Sequence, residues 1–142
     1  MQVLTQIALG SAILLLCTST HLIVGWRIIL FVRRSKQLAG TPAPAELLRT
    51  ISIFVTALLL SHTLHIYFWA AALWLMGALP GYEQPLYFSL VTYTTLGYGD
   101  VTLGVDHRIF GAMAAACGIL MFGITTAFVV GFLTRVMGGK LD

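Results

Sequence analysis

Three long apolar segments dominate the pattern of the chain. The first covers residues 3–24 and continues to Val32, the second covers residues 51–79 without a charged side chain, and the third covers residues 109–136. A helix needs about 20 apolar residues to cross roughly 30 Å of hydrocarbon. We therefore predict three membrane-spanning helices.

A shorter apolar block, residues 85–94, lies between the second and third segments. It is too short to cross a bilayer, so we predict a re-entrant helix that enters and leaves the membrane on one side. Pro85 suits the first turn of a helix, and Glu83 favours the positive N-terminal end of the helix dipole. A glycine-rich loop follows, defined here as Thr94, Thr95, Leu96, Gly97, Tyr98, Gly99 and Asp100.

Composition excludes an ordinary soluble domain. The chain is 58% hydrophobic and 9% charged, whereas soluble domains average about 45–50% apolar and about 25% charged residues. The net charge of +3 does not indicate nucleic-acid binding, because the basic residues flank the apolar segments. Cys17 and Cys117 lie inside such segments and are expected to be small buried hydrophobes, with no disulfide framework.

The basic residues predict an orientation. Cytoplasmic connections of membrane proteins are enriched in Lys and Arg. The first connection and the C-terminal end carry most of them, so both are predicted to be cytoplasmic, with the N-terminus and the re-entrant segment outside. These residues are Arg27, Arg33, Arg34, Lys36, Arg49, Arg135 and Lys140. At the end of the first span, Arg27, Arg33 and Arg34 lack the regular three-residue spacing of a voltage sensor, so anchoring at the membrane surface is the preferred interpretation.

The glycine-rich loop has a composition suited to an ion path. Non-helical backbone at membrane depth must be buried in protein or line a water-filled path. Gly97 and Gly99 accept backbone angles that other residues avoid. Successive carbonyl groups can then point the same way, and several such strands around one axis would surround a dehydrated cation with oxygen atoms.

The run from Thr94 to Asp100, with the preceding short helix and the flanking spans, resembles the pore of the potassium-channel family. The resemblance covers about residues 51–136. In that family four such loops replace the hydration shell of K⁺ with carbonyl oxygens. The resemblance implies K⁺ binding by the carbonyls of Thr95, Leu96, Gly97 and Tyr98, with Gly99 completing the filter and the Thr95 hydroxyl adding an oxygen. It also implies a homotetramer in a bacterial-type inner or plasma membrane, with K⁺ and lipid as partners and no organic cofactor.

The same resemblance assigns supporting residues. Thr94 precedes the filter, Asp100 would close its outer end, and Tyr87 and Phe88 would form an aromatic cuff against which Tyr98 packs. Two positions depart from the family: Leu96 stands where Val or Ile is usual, and Val91 stands where some members carry Glu. Both departures bear on the rigidity of the filter and on the sharpness of K⁺ over Na⁺ selection.

The third span contains candidates for a hinge or a gate. Gly118 and Gly123 are either points at which an inner helix bends or sites of close helix packing, since small residues commonly serve the latter purpose in membranes. Gly118 is the preferred hinge by its distance from the filter. The bulky side chains that could narrow the inner pore are Phe122, Ile124, Phe128 and Phe132.

Three histidines lie within the predicted spans. His62 and His65 share one face of the second span, and His21 lies in the first. A metal site, a pH sensor and an intramembrane enzyme are all conceivable for such residues, but interhelical hydrogen bonding is the preferred interpretation because no acidic partner is near.

The predicted fold class is an all-α membrane protein with three transmembrane helices, a re-entrant pore helix and a filter loop. The function predicted is passive K⁺ conduction without enzymatic activity. A weakly selective cation channel and a non-conducting accessory or sensor subunit remain as alternatives, and no gating stimulus is assigned. The first span is expected outside the pore domain, against a neighbour's outer helix. The predicted segments are an N-terminal helix 1–32, a cytoplasmic loop 33–50, a pore domain 51–137 (outer helix 51–79, pore helix 85–95, filter 95–99, inner helix 108–137) and a cytoplasmic tail 138–142.

Overall fold

The structure is a computed structural model that describes residues 2–36 and 44–137. Its regular elements are four helices, α1 (Val3–Lys36), α2 (Pro44–Leu75), α3 (Glu83–Tyr93) and α4 (Arg108–Met137). The predicted tail 138–142 and the middle of the predicted loop 33–50 lie outside the described residues.

Three of the four helices are long and apolar enough to cross a membrane. The spans are Val3–Phe31, Pro44–Leu75 and Arg108–Thr134. Helix α3 has 11 residues, or roughly 16 Å at 1.5 Å per residue, which is about half the hydrocarbon thickness. The predicted all-α membrane class is therefore confirmed.

The ends of α2 differ from the predicted 51–79. The helix begins at Pro44, because proline is favoured in a first turn where its missing N–H is not needed. It ends at Leu75 because Gly77 adopts a positive φ of 63°. The Ala78 amide then donates to the Leu73 carbonyl (3.0 Å) and the Gly77 amide to the Trp74 carbonyl (3.0 Å). This is the Schellman arrangement that closes many helices.

Helix α1 packs against α4 and α2 of its own chain. The expected contact of α1 with a neighbour's outer helix stays a prediction. The cause of the packing within the chain is a face of small residues: Gly10 lies against Met113, and a Cβ at Gly25 would come within 2.5 Å of the Phe128 ring. Small residues let membrane helices approach closely.

The main core lies between the middle of α1, the C-terminal part of α2, the end of α3 and the N-terminal half of α4. It joins one residue of α1 to residues of α2, α3 and α4, and both cysteines contribute to it as free, buried side chains. The members are Cys17, Trp69, Leu73, Tyr93, Phe110, Ala114, Cys117 and Met121. Helix α3 is held between α2 and α4 by this core, which fixes where the glycine-rich loop begins.

Candidate functional site: the glycine-rich loop and its support

The glycine-rich loop starts where α3 stops. The helix ends at Tyr93, two residues earlier than the predicted end at 95, because Thr95 adopts a φ of +62°. A β-branched residue rarely takes a positive φ. Such a residue costs on the order of 1–3 kcal/mol and persists only where the surroundings hold it.

Positive φ values alternate along the loop. Thr95, Gly97 and Gly99 have φ of 62°, 57° and 78°, whereas Leu96 and Tyr98 between them do not take positive values. Alternation between left-handed and right-handed backbone cancels the side-to-side alternation of an ordinary strand. It allows consecutive carbonyl oxygens to be presented on one side of the loop.

Backbone hydrogen bonds from the end of α3 hold the strained start of the loop. The Thr95 amide donates to the Thr92 carbonyl at 2.9 Å. The Leu96 and Gly97 amides both donate to the carbonyl of Val91, at 3.0 and 3.3 Å. Val91 therefore supports the loop through its main chain, which the side-chain comparison with the potassium-channel family does not reveal.

Asp100 is fixed at the far end of the loop. The Tyr87 hydroxyl donates to its Oδ2 at 2.5 Å, and the Val101 amide donates to its Oδ1 at 3.1 Å. The hydrogen bond from Tyr87 lowers the pKa of Asp100 from its ordinary value. A carboxylate is thereby kept ionised beside the loop, where it attracts cations.

Apolar side chains of the loop are left uncovered in a single chain. Leu96 is 58% exposed and Tyr98 is 69% exposed. Tyr98 is therefore not packed into a cuff with Tyr87 and Phe88 of its own chain. Those two residues instead line an open cleft of about 310 Å³ between α3, the loop and the start of α4.

The predicted hinge and gate residues occupy different environments. A Cβ at Gly118 would lie 2.9 Å from the Tyr93 carbonyl carbon and closer still to its oxygen, whereas one at Gly123 would meet nothing within 4 Å. Phe122 stacks on His62 at 4.5 Å. Phe128 faces α1, against Gly25. Gly118 is thus a close-packing position in this structure, and the hinge and gate assignments stay predictions.

A closed set of hydrogen bonds lies beside the main core, at the C-terminal end of α3. We call it the histidine ring, and in order around the circuit it consists of Tyr93, His62, Thr125, His21, Ser61 and His65. Interhelical hydrogen bonding, the preferred interpretation of the histidines, is confirmed. The sequence analysis did not predict that Tyr93, Ser61 and Thr125 bond to the histidines. The features that could have indicated it are a tyrosine directly before the loop and a threonine near Gly123.

A second polar attachment joins α1 to α4. The buried Gln6 side chain accepts from the Ile109 and Phe110 amides, at 3.0 and 3.3 Å, and donates to the Val105 carbonyl at 3.3 Å. It caps the first turn of α4, whose amides have no partner within the helix. Gln6 was not among the residues singled out by sequence, because a lone Gln in an apolar run does not indicate its partner.

Three helices long enough to cross a membrane pack together with a short helix that leads into a strained loop with alternating positive φ, an arrangement suited to a membrane channel. A protein-family model described as an ion channel matches residues 53–135, which is more than half of the chain. The chain therefore belongs to this ion-channel family. No curated protein and no solved structure is found to match it.

Proposed function

We propose that this protein is the subunit of a tetrameric, potassium-selective channel that conducts K⁺ passively along its electrochemical gradient. The observation that carries the proposal is the alternating positive φ at Thr95, Gly97 and Gly99. This backbone is what a stack of carbonyl cages requires, and such cages replace the hydration shell of K⁺ in potassium channels. The carbonyls of Thr95, Leu96, Gly97 and Tyr98, with the Thr95 hydroxyl, are the proposed ligands.

Exposure of the loop supports assembly from several copies. One loop presents oxygen atoms from one side only, so it cannot surround an ion. The exposed Leu96 and Tyr98 side chains and the open cleft lined by Tyr87 and Phe88 are surfaces that neighbouring copies would cover. Fourfold assembly, as in the family that the loop resembles, would place the loops around one axis.

Charge supports both the permeant ion and the orientation. The Asp100 carboxylate at the outer end of the loop would concentrate cations there. The C-terminal end of α3 faces the beginning of the loop and carries the negative end of the helix dipole, which favours a cation. The basic residues of the first connection and the C-terminal end favour the cytoplasmic side for both, by the positive-inside rule.

The deciding experiment is ion flux through liposomes that contain only the purified protein. We expect K⁺ flux that is much larger than Na⁺ flux and is blocked by Ba²⁺. Gly97→Ala should abolish the K⁺ flux, because alanine is strained at a φ of +57°. Gly104→Ala is the matched control, since Gly104 has no positive φ and a Cβ there meets nothing within 4 Å.

Each alternative has its own outcome in this assay. Comparable K⁺ and Na⁺ flux would indicate a weakly selective cation channel, in line with the departures at Leu96 and Val91. Absence of flux from correctly folded protein would indicate a non-conducting accessory subunit. Unchanged selectivity in Gly97→Ala would contradict the assignment of the loop as the filter.

A further inference from the structure

The histidine ring joins all four helices in one buried circuit. Tyr93 of α3 bonds to Nδ1 of His62 (2.8 Å) and Nδ1 of His65 (3.0 Å) through its hydroxyl oxygen. Thr125 of α4 bonds to Nε2 of His62 (2.8 Å) and Nε2 of His21 (3.0 Å). Ser61 closes the circuit by bonding to Nδ1 of His21 (3.0 Å) and Nε2 of His65 (3.4 Å).

Donor and acceptor counting limits where the protons of the ring can lie. Each hydroxyl has one hydrogen, and each neutral imidazole has one N–H and one bare nitrogen. A buried charge is costly unless it is paired, so we take the three histidines as neutral. All six bonds can then form together only if every member donates once and accepts once around the circuit, which allows just two arrangements, one for each direction of donation.

Thr20 selects between the two directions. Its hydroxyl hydrogen is directed to the carbonyls of Leu16 and Cys17 on its own helix, both at 2.9 Å, and its oxygen lies 3.2 Å from Nε2 of His65. The Thr20 oxygen therefore accepts from His65, which places the proton of His65 on Nε2, where Thr20 and Ser61 share it. Continuing around the circuit, His21 also carries its proton on Nε2, whereas His62 carries it on Nδ1.

The ring is connected to the glycine-rich loop through Tyr93. This residue ends α3 and lies two positions before the strained Thr95. Its side chain is held by the ring, and its carbonyl lies against Gly118 of α4. A displacement of Tyr93 would shift the end of α3, including the Val91 carbonyl that holds the Leu96 and Gly97 amides.

We propose that the histidine ring is a positioning network that couples α1 and α4 to the ion filter and thereby sets the preference for K⁺ over Na⁺. This inference rests on the proposed function and assigns a role to α1, which supplies His21 and Thr20. Helix α1 is then part of the conduction unit, because its His21 links Ser61 of α2 to Thr125 of α4. The ring nitrogens all face hydroxyl groups, so hydrogen bonding accounts for the cluster without a metal.

Thr125→Val tests the coupling with the least change in shape. Valine keeps the branched side chain but leaves Nε2 of both His62 and His21 without a partner, and buried polar groups in that state are costly. We expect the K⁺/Na⁺ permeability ratio in liposomes to fall by a factor of about five, within the span that coupled packing networks produce. Tyr93→Phe should have the same effect, because it removes the shared partner of His62 and His65.

Matched controls separate coupling from a general loss of a hydroxyl group. Thr134→Val makes the same change on α4 at a threonine that bonds to carbonyls of its own helix, and Thr18→Val does so on α1. Both should keep the wild-type ratio. Thr125→Ser keeps the hydroxyl and should restore most of it. If Thr125→Val does not fold, Ser61→Ala interrupts the opposite side of the ring and takes its place.

A second measurement keeps the inference separate from conduction. An ion that binds the folded filter raises the melting temperature, so the difference in Tm between K⁺ and Na⁺ buffers reports filter selectivity in detergent. Ring variants should lose most of this difference, and the controls should retain it. Absence of flux in the wild-type protein would refute the proposed function alone. The role of the ring would be refuted if folded Thr125→Val and Tyr93→Phe kept both the Tm difference and the K⁺/Na⁺ permeability ratio of the wild type.

Nitrogen-15 spectra of histidine-labelled protein test the ring itself. We expect three neutral imidazoles, two protonated on Nε2 and one on Nδ1. Thr20→Val should allow both directions of donation and give a second set of signals. A charged histidine at neutral pH, or three identical tautomers, would contradict the circuit.

Discussion

The glycine-rich loop and the histidine ring meet at Tyr93 but differ in how complete they are within one chain. Every donor in the ring has an acceptor in the same chain, and its members come from four helices that are already packed together. The loop is exposed and strained at Thr95, and its carbonyls from Thr95 to Tyr98 accept no backbone hydrogen bond from the described residues. One chain therefore supplies a complete support, whereas the proposed ion site is incomplete in it.

The difference follows from what each region has to contact. Buried polar groups in a membrane protein must be satisfied by protein, because lipid offers no hydrogen bonds. The ring satisfies this requirement internally, which makes it rigid. An ion path has to leave its oxygen atoms free for ions and neighbouring copies, so its geometry depends on support from outside the loop, at Val91, Tyr87 and Tyr93.

The largest effect after loss of the filter itself is expected at the contact between the two regions. Gly118→Ala would press a methyl group against the Tyr93 carbonyl. Extra atoms in a tightly packed site typically cost about 1–3 kcal/mol, so we expect a clear drop in the melting temperature of the purified protein and a reduced K⁺/Na⁺ ratio.

Gly123→Ala provides the comparison for Gly118→Ala. A Cβ at Gly123 meets nothing within 4 Å of the same chain, so thermal stability should be unchanged or slightly raised by the helix propensity of alanine. Equal melting temperatures for the two variants would show that close packing at Gly118 does not matter. A selective loss of channel opening in Gly123→Ala would instead identify that residue as the hinge.

The sequence was sufficient for the spans, the re-entrant helix and the loop, because length and hydrophobicity determine the first two and a specific run of residues indicates the third. The positions of α1 and of the ring were not predictable in the same way. Hydrogen bonds between His21, Ser61 and Thr125 join residues far apart in the chain, and helical periodicity gives the face of each residue but not its partner. On α1, Gly10 and Gly25 are the residues whose small size indicates close packing. Glycine is common in membrane helices, so this feature does not identify the partner helix.

Loss of the Gln6 cap should have a smaller effect. Gln6→Ala leaves the Ile109 and Phe110 amides at the start of α4 without their acceptor, and loss of a helix cap costs about 0.5–2 kcal/mol. We expect a modest drop in melting temperature, with the K⁺/Na⁺ ratio kept because the histidine ring still holds α1. Gln2→Ala, at an exposed position directly before the same helix, is the control. A change in ratio as large as that of Thr125→Val would mean that α1 acts through its whole length and not through the ring.

The smallest effect is expected at the outer end of the loop. The Tyr87 hydrogen bond lowers the pKa of Asp100, so the bonded carboxylate is present above that pKa and is lost as the pH falls through it. Tyr87→Phe should raise the pKa of Asp100 towards its ordinary value, and acid on the loop side should then reduce K⁺ flux at a higher pH than in the wild type. The flux at neutral pH should change little, because the backbone bonds from Val91 and Thr92 still hold the start of the loop.

Tyr82→Phe, which removes an exposed hydroxyl just before α3, should leave the pH profile unchanged. If Tyr87→Phe also leaves it unchanged, Asp100 does not contribute to ion entry, and the support of the loop comes from the Val91 and Thr92 carbonyls alone.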